Sequence, residues 1–128
     1  MNDEQKIRFL HFMIAMAWTD GTLDPAERDH LLELVERIGL SDESTKAKVR
    51  TWLMTRPNEP DWDELRADQG FGKALLHEAT LLSTLDMSVS ASEMNYLHQL
   101  RERIGITLDD FYTIQQVVEK ELIARMNS

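Results

Sequence analysis

Two stretches of this chain carry the same pattern of apolar residues, acids and glycine, and that repetition leaves few folds open to it. The first, IAMAWTDGTLDPAERDHLLELVERIGL, runs from Ile14 to Leu40, and the second, LLSTLDMSVSASEMNYLHQLRERIGI, from Leu81 to Ile106. Laying Gly39 on Gly105 aligns them without a gap. Asp20 then falls on Asp86, Glu27 on Glu93, Leu31 and Leu34 on Leu97 and Leu100, and the upstream His11 on His77. Equal spacing of apolar positions demands equal packing, so the chain reads as two pseudo-symmetric helix–turn–helix repeats, about 9–40 and 75–106.

The elements follow from periodicity and caps. Residues 3–18 read as a helix that is apolar almost all round from Phe9, the pattern of a helix enclosed by neighbours. Asp20-Gly21 stops it, because glycine reaches the positive φ that a helix end prefers. Asp24-Pro25-Ala26-Glu27 opens the next helix with an N-cap, a proline at the first helical position and a capping box. Leu31, Leu34, Val35 and Ile38 form its core stripe, and Gly39 ends it.

Ser41 or Asp42 caps a third helix to about Met54, with Ala47, Val49, Trp52 and Leu53 inward. The two prolines of 56–60 make a loop, 61–65 a short fourth helix, and 67–72 a turn. Helix five spans 71–85, with Ala74, Leu75, Ala79, Leu82 and Leu85 inward. Ser90-x-x-Glu93 caps helix six, with Val89 and Met94 as its hydrophobic staple, and Gly105 ends it. Thr107-x-x-Asp110 opens helix seven, whose stripe is Leu108, Phe111, Ile114, Val118 and Leu122. No β alternation competes. The expectation is all-α: one domain over 1–128, a compact bundle of about seven helices.

Composition narrows the function classes. A net charge of −9 and a pI near 4.8 argue against binding a phosphate backbone, which needs clustered Lys and Arg. An acidic surface suits a basic partner or cations, or serves solubility. The absence of cysteine rules out disulfides, thiolate metal sites and a Cys nucleophile. The opening MNDEQKIR carries acids where a signal peptide needs a basic region, and no apolar run approaches the roughly 20 residues of a spanning helix. The expectation is a cytoplasmic chain with no membrane insertion and no nucleic-acid partner.

Three groups of residues invite chemistry. Asp20, Asp24 and Glu27 offer hard oxygen ligands to a divalent cation, although EF-hand spacing is missing and caps already explain two of them. Asp86 and Glu93 are their counterparts in the second copy, where Met87 replaces the glycine and Ser90 replaces Asp24. His11 and His77, with Glu78, are a zinc-ligand set to weigh against ordinary core histidines. Trp52, Trp62 and Phe71 flank the proline loop and suit a partner groove or a core cover. No nucleophile elbow, phosphate-cradling loop or H-E-x-x-H is present, so catalysis has little support.

The pattern Ala17-x-x-Asp20-Gly21 with Glu27, continuing through Leu31 to Gly39 and recurring from Asp86 to Gly105, resembles the TerB-like family, named for the tellurite-resistance protein TerB. That family is similar to the N-terminal region of the membrane-anchored DnaJ-like co-chaperone DjlA. The resemblance implies a pseudo-symmetric helical bundle in proteins linked to stress and metal-ion resistance. It also implies an interaction or adaptor module for a protein partner, with divalent-cation binding through acidic residues as an accessory property. The alternative is a metal-dependent hydrolase using the His and carboxylate residues.

Overall fold

Where the residue before a helix is described, its side chain accepts an amide that the first turn leaves unbonded. A computed structural model describes residues 2–67, 69–84 and 90–127, and among these it has six α-helices and no strand. Helix α1 is Asp3–Ala17, α2 Pro25–Ile38, α3 Glu43–Met54, α4 Gln69–Ser83, α5 Ala91–Ile104 and α6 Leu108–Met126. The short fourth helix expected from the sequence is instead a 3-10 turn, Trp62–Ala67, so the α-helices number six rather than seven. No helix among the described residues is long and apolar enough to cross a membrane.

Asn2 caps α1 through a capping box with Gln5, Asp24 accepts the Ala26 amide at 2.8 Å, and Asp42 caps α3. Ser90 accepts the Glu93 amide and Thr107 the Asp110 amide. Two helices stop as anticipated. Gly39 at φ 71° and Gly105 at φ 88° are left-handed, a conformation that costs a residue with a Cβ about 1–2 kcal/mol.

The chain divides into two compact units, Met1–Pro60 and Asp61–Ser128. In the first, α1 packs on both α2 and α3. Seven of its residues, Phe9, Leu10, Phe12, Met13, Ile14, Met16 and Ala17, are buried, as the all-round apolar pattern requires. Leu31 and Leu34 meet it from α2, and Val49 and Leu53 lie buried on α3. Val35 and Ile38 are only half-buried, and Ala47 is exposed, against expectation.

In the second unit α4 packs on α5, α6 and the 3-10 turn. It begins at Gln69, inside the segment expected to be a turn. Gly72 belongs to this helix for a packing reason. A Cβ there would lie 2.8 Å from Ile104 Cγ1 of α5, so the two helices approach through its missing side chain. Leu75, Ala79 and Leu82 are buried as expected, and Ala74 is exposed. On α6 only Phe111 and Val118 of the stripe are buried, with Ile114 and Leu122 half-buried and Leu108 exposed. The expected Val89 staple, and Leu85, lie outside the described residues.

Leu31 and Leu97 are both fully buried, so Leu31→Ala and Leu97→Ala should each cost about 2–5 kcal/mol by chemical denaturation. Losses below about 0.5 kcal/mol, the range of surface substitutions, would put these leucines on the wrong face.

Candidate functional site

The acidic turn is built from helix ends. Trp18 closes α1, Gly21 at φ 87° donates to the Trp18 carbonyl at 2.9 Å, and Leu23 tucks inward. Asp20 and Asp24 are exposed and Glu27 is half-buried. The Asp24 carboxylate is spent on the Ala26 amide. Among the described residues, no group of three His, Asp or Glu side chains is placed so that it could hold a metal ion. A divalent cation needs six or more oxygens around one point, and these carboxylates do not supply a shared one. In the second copy Asp86 lies outside the described residues, while Glu93 is buried and accepts the Ser90 hydroxyl at 3.1 Å.

Both expected zinc histidines have local work. His11 stacks on Trp52 with ring centroids 4.5 Å apart, and its Nε2 lies 2.7 Å from the Asn58 carbonyl. His77 Nε2 lies 3.2 Å from Glu121 Oε1 of α6 rather than meeting the neighbouring Glu78.

The aromatic trio is similarly engaged. Trp52 is half-buried, its carbonyl accepts the Trp18 indole N–H at 2.8 Å, and Lys48 Nζ sits 5.6 Å above its ring. Trp62 lies 5.0 Å from the Tyr96 ring, and Phe71 is buried in the second unit. Each ring is first of all a packing element of its own unit.

A site that sequence reasoning missed lies between α2 and α3. There the first unit holds an open cleft of about 170 Å³. Val35, Leu40, Val49 and Leu53 make its apolar floor. Leu32, 45% exposed, and Glu36 stand on the α2 side, and Lys46 and Arg50 on the α3 side. Lysine and arginine at i and i+4 share one helix face. A linear signal for this existed. Residues 46–56, KAKVRTWLMTR, carry four cations and no acid in a chain of net charge −9.

The helix that bears those cations is tied down by Asp42. Its carboxylate accepts the Ser44 hydroxyl at 2.7 Å, the Thr45 hydroxyl at 3.1 Å and the Ser44 amide at 3.3 Å. These bonds, the Ser44 hydroxyl first, favour the charged form and hold the Asp42 carboxyl below the ordinary value of 3.8.

Comparison with protein-family models, with curated proteins and with solved structures gives no match.

Two outcomes test this geometry. Serine caps a helix about as well as aspartate, so Asp24→Ser should stay within about 0.5 kcal/mol of the parent chain, whereas Asp24→Ala should lose about 0.5–2 kcal/mol. Calcium or magnesium should leave both melting temperatures unmoved, and a cation-dependent rise lost in Asp24→Ser would restore a metal site to the turn. For Asp42, the folded carboxyl binds its proton less readily than the unfolded one. Its contribution is therefore complete above the ordinary pKa and drains away as pH falls through the lowered folded value. Carboxyl-carbon NMR should give Asp42 a midpoint below 3.8, and Thr45→Val should move it upward.

Proposed function

We propose that this chain is a helical interaction module of the TerB-like kind, an adaptor that holds a protein partner and transforms nothing. The observation that carries this reading is the α2–α3 cleft, apolar below and charged at its edges. Its volume of about 170 Å³ falls short of the roughly 300–1,000 Å³ of small-molecule sites. It is nearer the cavity of about 150 Å³ that accepts a single benzene ring. A space of that size takes one apolar side chain of a larger partner. Leu32, half in water at its edge, is the kind of apolar surface that a partner would cover.

The hydrolase alternative draws no such support. Of the residues it would use, His11 is in a ring stack, His77 in an ion pair, and Asp24 and Glu93 in helix caps. The repeat reading belongs to the same proposal. In each unit an apolar helix packs on two others, and a 14-residue helix ending at a left-handed glycine follows the acidic turn segment. Those correspondences favour two pseudo-symmetric copies of one helix–turn–helix unit. A role in stress or tellurite resistance rests on the family resemblance alone.

Photo-crosslinking tests the module. Benzoylphenylalanine at Leu32, in the full chain expressed in its source cells, should give discrete adducts that excess unmodified chain competes away. The same probe at Glu33, exposed on the neighbouring face of α2, should give few. Absence of adducts from Leu32 would sink the reading.

A further inference from the structure

We infer that the occupant of the α2–α3 cleft is an acidic peptide segment that seats one apolar anchor on the floor and turns its carboxylates to Lys46 and Arg50. The inference rests on the module reading and adds the chemistry of the partner to it. The chain as a whole should attract bases, with 23 acids against 14 cations. The α3 edge of the cleft has the opposite sign. Lys46, Lys48, Arg50 and Arg56 follow one another over 46–56 with no acid between them.

Their surroundings divide the work. Lys46 Nζ keeps Glu43 at 3.3 Å, an exposed pair that an incoming carboxylate displaces at little cost. Lys48 lies over the Trp52 ring. Arg50 is exposed and has no ion pair among the described residues, so its planar fork is available for a bidentate carboxylate. Val49 and Leu53 lie on the same helix as these cations, so an anchor and an acid a turn apart can be met together. Peptide recognition that combines an apolar groove with a basic cluster has this composition. Glu36 on the facing edge repels acids, which directs the peptide's charged side toward α3. A nucleic acid would use the cations but leave Leu32 and half-buried Val35 in water, so it accounts for only half of the site.

The test sets local charge against global charge. A phage-displayed random dodecapeptide library is selected on the full chain at physiological salt, and the enriched peptides are synthesised and measured by fluorescence anisotropy. Enriched sequences should combine Asp or Glu with a Leu, Phe or Trp anchor. Their binding should weaken about tenfold, about 1.4 kcal/mol, in Lys46→Glu/Arg50→Glu, because the reversal turns two exposed attractions of up to about 1 kcal/mol each into repulsions. Both sites are on the surface, and circular dichroism checks that the variant folds, with Lys46→Gln/Arg50→Gln as its substitute. Glu36→Gln should tighten the same peptides. Enriched sequences that are basic or uncharged, acidic peptides indifferent to the charge reversal, or displacement by a single-stranded oligonucleotide would each overturn the inference. The Leu32 crosslinks report on the module separately. Crosslinks with basic peptides enriched leave a docking cleft of other chemistry, and no crosslinks remove the module itself.

Discussion

Enclosing an apolar helix is the demand that the first unit answers. From Phe9 to Ala17 nearly every side chain of α1 is buried, and each large one gains about 1.5–3 kcal/mol by leaving water. One neighbour can cover only one side of such a helix, so α2 and α3 must both face α1. Polar ties then fix where they sit. Lys6 Nζ donates to the Gly39 carbonyl at 2.9 Å, and Ser41 to the Asp3 carboxylate, holding the α2–α3 connection to the start of α1. At the other end the Trp18 indole reaches the Trp52 carbonyl and His11 meets Asn58. Val49 and Leu53 are buried in the unit's core, and the seam between α2 and α3 above them is left with half-buried Val35 and exposed Leu32. The opening is a by-product of the packing that stabilises the unit.

The second unit solves the same problem with different residues. Phe71, Leu75, Leu76, Leu81 and Leu82 of α4 are buried, yet Thr80 and Ser83 are buried beside them. Their hydroxyls return to the helix itself, Thr80 to the Leu76 carbonyl at 2.7 Å and Ser83 to the Thr80 carbonyl at 2.9 Å. Such back-bonding satisfies a buried hydroxyl without a partner helix, so polar residues can occupy an enclosed helix at small cost. The Arg101 guanidinium donates to the Ile106 carbonyl at 3.0 Å and steadies the chain just past Gly105. Nothing comparable to the 46–56 run occurs on α5, where Arg101 and Arg103 alternate with Glu102.

What the sequence makes legible is whatever one local residue decides. Gly39 and Gly105 could be read as helix ends because only a residue without a Cβ adopts their conformation cheaply. Asp24, Asp42, Ser90 and Thr107 could be read as caps because the amides they serve are two or three residues away. Gly72, where the expected turn and the expected helix overlap, shows the converse. It reads locally as a turn residue, but it sits inside α4 because Ile104, far along the chain, fills the space of its side chain. Alanine says little about direction, so Ala47 and Ala74 could be placed inward by pattern and still be exposed. At the acidic turn the same limit holds for ligands. Sequence lists donor types, whereas a cation requires convergence, which only the folded backbone decides. The cleft joins Val35 and Leu40 to Val49 and Leu53 across a helix boundary, so no periodicity announces it. Its charge was visible, and the average concealed it.

That average is a poor guide to a contact. At physiological ionic strength the Debye length is about 8 Å, so exposed charges farther than this from a docked peptide are largely screened. The 23 acids of the whole chain set how it behaves toward distant charges, but what a bound carboxylate feels is the handful of groups around the cleft. On α3 those are Lys46 and Arg50, and opposite them stands Glu36. Glu43, 3.3 Å from Lys46, joins Glu36, so two cations stand among two acids, an arrangement worth more for orientation than for affinity, since exposed pairs contribute about 0–1 kcal/mol. The apolar surface still open at Leu32 and Val35 has to supply most of the binding, and the charges choose which apolar segment is admitted and which way round it lies. The anchor and the acid are therefore one requirement. A segment with either alone meets half of the site and gains too little to offset the loss of its own freedom on binding.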